Sequence, residues 1–151
     1  MRILIFKGFY WKDDTTNDQV IRKLYSELRN RHNTLLYTHK KDEYFKESDI
    51  VIDENLEYLM KSQSNRLFSG VLDYCQEHSV DMLHIGLLIN PEFLLAELDV
   101  RPKLSTKITY WVLGMNDIHR SNARANVFAA CELTKEYNAP QPSITRILSN
   151  W

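Results

Sequence analysis

"RILIFKGFYWKDD", residues 2–14, runs Ile3, Leu4, Ile5 and Phe6 together without a polar break, turns at Lys7 and Gly8, and then sets Phe9, Tyr10 and Trp11 side by side before two aspartates. A strand with one wet face alternates apolar and polar residues, so an unbroken apolar run predicts a strand covered on both faces. The same signature recurs in "TLLYT" (34–38), "DIVID" (49–53), "DMLHIGLL" (81–88) and "KITYWVL" (107–113). Five such runs predict a parallel sheet lying between two layers of helix.

The stretches between the runs carry helix signals. Thr16-Asn17-Asp18-Gln19 has the form of a capping box, and Val20, Ile21, Leu24 and Leu28 follow at helical spacing. Leu56, Leu59, Met60, Leu67, Val71 and Cys75 predict one face of a long helix over roughly 55–78. Asn90-Pro91-Glu92 combines a capping residue, a proline at the first turn and an acid at the positive end of the helix dipole. Asp117 is placed to cap a further helix, to about 137, that buries Ala125, Phe128, Ala129 and Leu133. "HKKDEYFKES" (39–48) is short for a full crossover and predicts a single helical turn or a loop. Two prolines in "NAPQPS" (138–143) end the last long helix, after which Ile144, Ile147, Leu148 and Trp151 share one helical face. The alternation of strands and helices predicts an α/β, doubly wound, mostly parallel sheet with helices on both faces: one Rossmann-like domain over residues 1–151.

Composition narrows the function. At 151 residues with 44% hydrophobic content the chain can bury a core of one domain. Nineteen Lys and Arg nearly balance twenty Asp and Glu, so no global field favours nucleic acid or an anionic bilayer. Cys75 and Cys131 lack metal-ligand spacing and read as small buried hydrophobes, which points to a reducing cytoplasm. No apolar run approaches the roughly 18 residues of a membrane span, so membrane contact is expected to be peripheral at most, at the inner face.

In an open parallel sheet, ligands bind beyond the carboxyl ends of the strands, where strand order reverses. The loops there are Gly8 to Trp11, Gly86 to Asn90, and Gly114 to Arg120. They exclude several modules. The first turn has one glycine where a dinucleotide fingerprint needs three, and no Gly-Lys-Ser/Thr ending marks a P-loop. A receiver domain would place an acidic pair directly after the first strand and a lysine after the fifth. Only Asp53, after the third strand, suits it. Neither a G-x-S-x-G elbow nor a His/Cys metal pair occurs.

What remains is the aromatic trio. Exposed rings with polar handles suit a half-wet ligand cleft, and three successive residues cannot readily face one core, so at least one of Phe9, Tyr10 and Trp11 is expected at the surface. His84 reads first as a satisfied core histidine. His119 and Arg120 stand at a helix start whose amides favour anions, and Asn116 and Asp117 read as caps.

Placed on these strands, several motifs resemble the N-terminal Rossmann-like domain of a GT-B glycosyltransferase of the group-1 kind. "MRILIF" with Gly8 is similar to the first strand and acceptor-side loop. Asp81 and His84 match a "D-x-x-H-x-H" strand, and Gly114 and Asp117 match a "T-x-H-G-x-D" turn. Gly86 replaces the second histidine of the former and Leu113 the histidine before the glycine of the latter, so the resemblance names no catalytic residue here. It implies that this half binds a saccharide or lipid-linked saccharide acceptor, as in polysaccharide biosynthesis. The implied site is Gly8, Phe9, Tyr10, Trp11, His84, Gly86, Gly114, Asn116, Asp117, His119 and Arg120. It also implies a nucleotide-sugar donor bound by a second, C-terminal domain that these 151 residues do not contain. Alone, the chain is expected to be catalytically incompetent and without cofactor or metal. The other reading is a stand-alone Rossmann-like domain for protein interaction or regulation, with the aromatic trio as its contact surface.

Overall fold

The computed structural model describes residues 1–8, 16–88 and 90–110, and the side chains of Thr16 and Asn17 are outside that description. Its five strands are β1 (Arg2–Phe6), β2 (Asn33–Thr38), β3 (Ile50–Ile52), β4 (Met82–Ile85) and β5 (Lys107–Tyr110). All pair in parallel, in the order β3-β2-β1-β4-β5. The sheet is thus the Rossmann-like α/β sheet expected from the apolar runs.

Burial explains those runs. Ile3, Leu4, Ile5 and Phe6 are each at most 1% exposed, although alternate side chains point to opposite faces. Ile3 and Ile5 meet Ile21, Tyr25, Leu36 and Phe45 on one face. Leu4 and Phe6 meet Val71, Leu72, Leu83, Ile85 and Leu94 on the other. With β1 central and both faces dry, a polar residue at any of the four positions would lose its water.

Four helices supply the covers. The first face is closed by α1 (Thr16–Leu28) together with the connection from β2 to β3. Along α1, Ile21 and Tyr25 form the buried row, while Val20 is 40% exposed and off the inner face. The short connection is a loop ending in one 3-10 turn, Glu47–Asp49. It does the work of a crossover helix by inserting Phe45 against Tyr25, ring centroids 4.7 Å apart.

The second face carries α2 (Leu56–Lys61), α3 (Ser69–Glu77) and α4 (Pro91–Asp99). Here the single helix expected over 55–78 is two. Gln63 adopts φ 50°, its amide donates to Met60, and the Ser64 amide donates to Leu59, which is the hydrogen-bond pattern that ends a helix in a left-handed residue. The apolar spacing could not register the break, because Leu56, Met60, Leu67, Val71 and Cys75 all enter the same core from both sides of it. The same device ends α3, where Ser79 has φ 50° and the Val80 amide donates to Cys75. Helix α4 begins as expected at Pro91 after Asn90, though the Asn90 side chain makes no capping bond.

Arg101 binds α4 to α3. Its Nε and Nη2 donate to Asp73 Oδ1 at 3.1 and 2.6 Å, and its Nη1 donates to Glu97 Oε2 at 2.7 Å. Glu97 is only 5% exposed, so this guanidinium supplies the countercharge its burial requires. Among the described residues no helix is long and apolar enough to cross a membrane.

Candidate functional site

Strand order reverses between β1 and β4, so the crevice of this sheet lies between the loops that leave those strands. The two loops stay zipped beyond the strand ends: the Gly86 amide donates to Phe6 at 2.7 Å and the Leu87 amide to Lys7 at 3.0 Å. Both glycines serve that closeness. Gly8 has φ 82°, and a Cβ there would lie 2.5 Å from the Leu87 carbonyl oxygen and 2.8 Å from Ile85 Cγ2. A Cβ on Gly86 would lie 2.7 Å from Ile21 Cδ1 and 3.1 Å from the Lys7 carbonyl oxygen. Among the described residues, what approaches the Gly8 backbone is the β4 loop itself.

Lys7, the last residue before Gly8, forms an ion pair with Asp18 in the first turn of α1, and both side chains are mostly buried. Phe9, Tyr10 and Trp11 lie outside the described residues, as do Gly114, Asn116, Asp117, His119 and Arg120. Of the candidate site, Gly8, His84 and Gly86 are described.

His84 is buried inside β4, on the sheet face opposite Leu83 and Ile85. Its Nδ1 and Thr109 Oγ1 on β5 share a 2.7 Å hydrogen bond, and burial pulls its pKa down to about 4, so the ring is neutral at pH 7. Asp81 lies at the other end of the sheet. Its carboxylate accepts from the Arg2 amide at 2.7 Å, while its own amide donates to the Arg2 carbonyl at 2.9 Å, which ties the amino ends of β1 and β4. Cys75 is buried, and its thiol is pushed up to about 12 by desolvation, far from a reactive thiolate. Asp53 is occupied in holding the turn after β3, where it accepts from Tyr37 and from the Asn55 amide.

A small cavity of mixed lining adjoins Lys7. It lies at the carboxyl ends of β1 and β2 and encloses about 80 Å³; Ile21, Leu36 and Phe45 form its apolar floor, and Lys7, Asp18, Arg22, Thr38, His39, Lys40 and Asp42 its polar wall. Among the described residues Arg22 is held there by Tyr44, stacked on its guanidinium at 3.6 Å, and by Asp42 at 3.7 Å. Burial, its largest influence, draws the His39 pKa below the usual value; Lys40, Lys7 and Lys61 act in the same direction and Glu57 opposes them. Sequence reasoning missed this group. His39 and Lys40 fall there in a stretch read only as a helical turn or a loop, and only the approach of α1 to the end of β2 brings Arg22 and Asp18 to them. Among the described residues no cluster of His, Cys, Asp and Glu is arranged to hold a metal ion.

No protein-family model matches the sequence, and comparison with curated proteins gives no match.

Proposed function

We propose that this chain is the acceptor-binding domain of a glycosyltransferase. It would hold a saccharide or lipid-linked saccharide at the carboxyl ends of its strands, while a nucleotide-sugar donor is held by a separate domain. The observation that carries the reading is the strand order β3-β2-β1-β4-β5, which puts the reversal point beside Gly8, the residue from which the aromatic loop departs. The Lys7–Asp18 pair supports it, since holding Lys7 in place fixes where that loop departs and lowers the entropic cost of presenting its rings. Sheet order alone is shared by many functions, so the weight of the reading falls on that loop. No residue is assigned to bond making or breaking.

The test is titration of the chain with a panel of neutral and acidic oligosaccharides, followed by amide chemical shifts. Saturable shifts around Lys7, Gly8 and Gly86 are expected, and Trp11→Ala should weaken binding about fivefold, one stacking contact being worth on the order of 1 kcal/mol. An unchanged affinity in a variant that melts like the parent removes the platform role. Absence of shifts with every glycan removes the acceptor reading.

A further inference from the structure

The cavity at the carboxyl ends of β1 and β2 is small. Drug-sized ligands occupy pockets of about 300 Å³ or more. At about 80 Å³ this one has room for a few waters or one small group, not for a sugar ring. Whatever enters it is a compact appendage of a larger molecule, or a small ion.

The wall specifies which. Among the described residues Lys7, Arg22 and Lys40 bring three formal positive charges to the lining and Asp18 and Asp42 two negative ones, an excess of one positive charge. The carboxylates are engaged by Lys7 and Arg22, whereas Lys40 is exposed and forms no ion pair among the described residues. The Arg22–Asp42 separation of 3.7 Å is beyond hydrogen-bond range, so that contact is Coulombic, and Tyr44 keeps the guanidinium plane in place from the other side. His39 and Thr38 add neutral polar groups.

We propose that this cavity binds a phosphate group, through Arg22 and Lys40 as its two principal cationic contacts with His39 and Thr38 as hydrogen-bonding neighbours. Arg22 supplies the planar fork that matches phosphate oxygens and Lys40 a mobile point charge. The phosphate can belong to a soluble phosphate ester or to a lipid-linked one, the recognising chemistry being the same. The site does not depend on the transferase reading: it is defined by the anion, whether or not a saccharide binds next to it.

The experiment is titration of the 151-residue chain with inorganic phosphate at constant ionic strength, with chloride and acetate as controls, read by amide shifts of residues 7, 22 and 38–42. Saturable shifts with phosphate and none with the controls are expected. Lys40→Gln, an exposed change that leaves the core intact, should weaken binding about tenfold, and Asp42→Asn should strengthen it several-fold by removing the carboxylate that competes for Arg22. Phosphate shifts no larger than those of chloride overturn the proposal. So does an affinity indifferent to both substitutions in folded variants. With inorganic phosphate bound, a hexose 1-phosphate that binds more tightly still identifies the soluble source, and tighter binding to vesicles carrying a lipid-linked phosphate than to either soluble anion identifies the other.

Discussion

The Tyr37 hydroxyl, at the end of β2, donates to Asp53 Oδ2 at 2.5 Å, just beyond the end of β3. A matching bond stands at the other end of that strand, where Tyr25 on α1 donates to Asp49 at 2.5 Å. The edge strand β3 has only three residues, too few to hold its register by ladder bonds alone, and these two phenols fix it at both ends. Burial first, and then Asp53, raise the Tyr37 pKa far above that of a free phenol, so it remains a donor at any physiological pH.

The Tyr37–Asp53 bond is expected to couple to Gly70. A Cβ on Gly70 would lie 2.7 Å from the Tyr37 hydroxyl and 2.8 Å from Asp53 Oδ2. Within a helix such as α3, Gly→Ala ordinarily stabilises by about 1 kcal/mol, but here it should destabilise. Tyr37→Phe should cost about 2 kcal/mol as a hydrogen bond to a charged group is lost. In the double variant the clash with the hydroxyl is gone, so urea unfolding should give a total cost below the sum of the two. Strict additivity would mean that the three groups do not share one space.

Gly8 and Gly86 are expected to differ in tolerance. Gly8→Ala combines a left-handed backbone with a clash against a carbonyl oxygen that cannot step aside, and should cost more than about 2 kcal/mol. Gly86→Ala meets mainly the end of the Ile21 side chain, so Ile21→Val should recover part of the loss. Thermal melts of the three variants decide it, and failure of Ile21→Val to recover any stability would place the strain on the Lys7 carbonyl instead.

Arg101→Met should be among the most damaging changes on the surface of the α3–α4 layer. It leaves Glu97 buried with only Arg66, 3.6 Å away and largely exposed, as a described countercharge, at a cost of about 3 kcal/mol. Adding Glu97→Gln should restore much of the loss, because the uncompensated charge goes with it. If the double variant is no more stable than Arg101→Met, packing of the arginine stem is the larger contribution.

His84 is expected to make folding sensitive to acid. Its folded pKa lies near 4, below the ordinary histidine value of about 6.5, so between those pH values the unfolded chain holds a proton that the folded chain does not. The stability associated with the neutral ring is present above pH 6.5 and is lost as pH falls towards 4, by about 3 kcal/mol in all. In His84→Gln the fall in stability over that window should be shallower by about this amount, measured by denaturant melts at a series of pH values. Parallel curves for the two proteins would show that the imidazole is protonated without penalty in the folded state.

The sequence by itself determined the layers. Unbroken apolar runs can be satisfied only by strands dry on both faces, and the five runs became five parallel strands because each must find a helix or its equivalent above and below. Local spacing also marked the start of α4 at Pro91 and the shortness of the link from β2 to β3. It did not show the break between α2 and α3, since a left-handed turn at Gln63 preserves the apolar face that periodicity measures. Nor did it show what the candidate residues touch. Gly8 and Leu87, Tyr37 and Gly70, or Arg22 and His39 are separated by 17 to 79 positions, and only strand order brings them together. Strand order is set by the sum of many weak packing energies across the whole sheet, which is why tertiary structure alone decided where the glycines, the buried histidine and the cationic cavity lie.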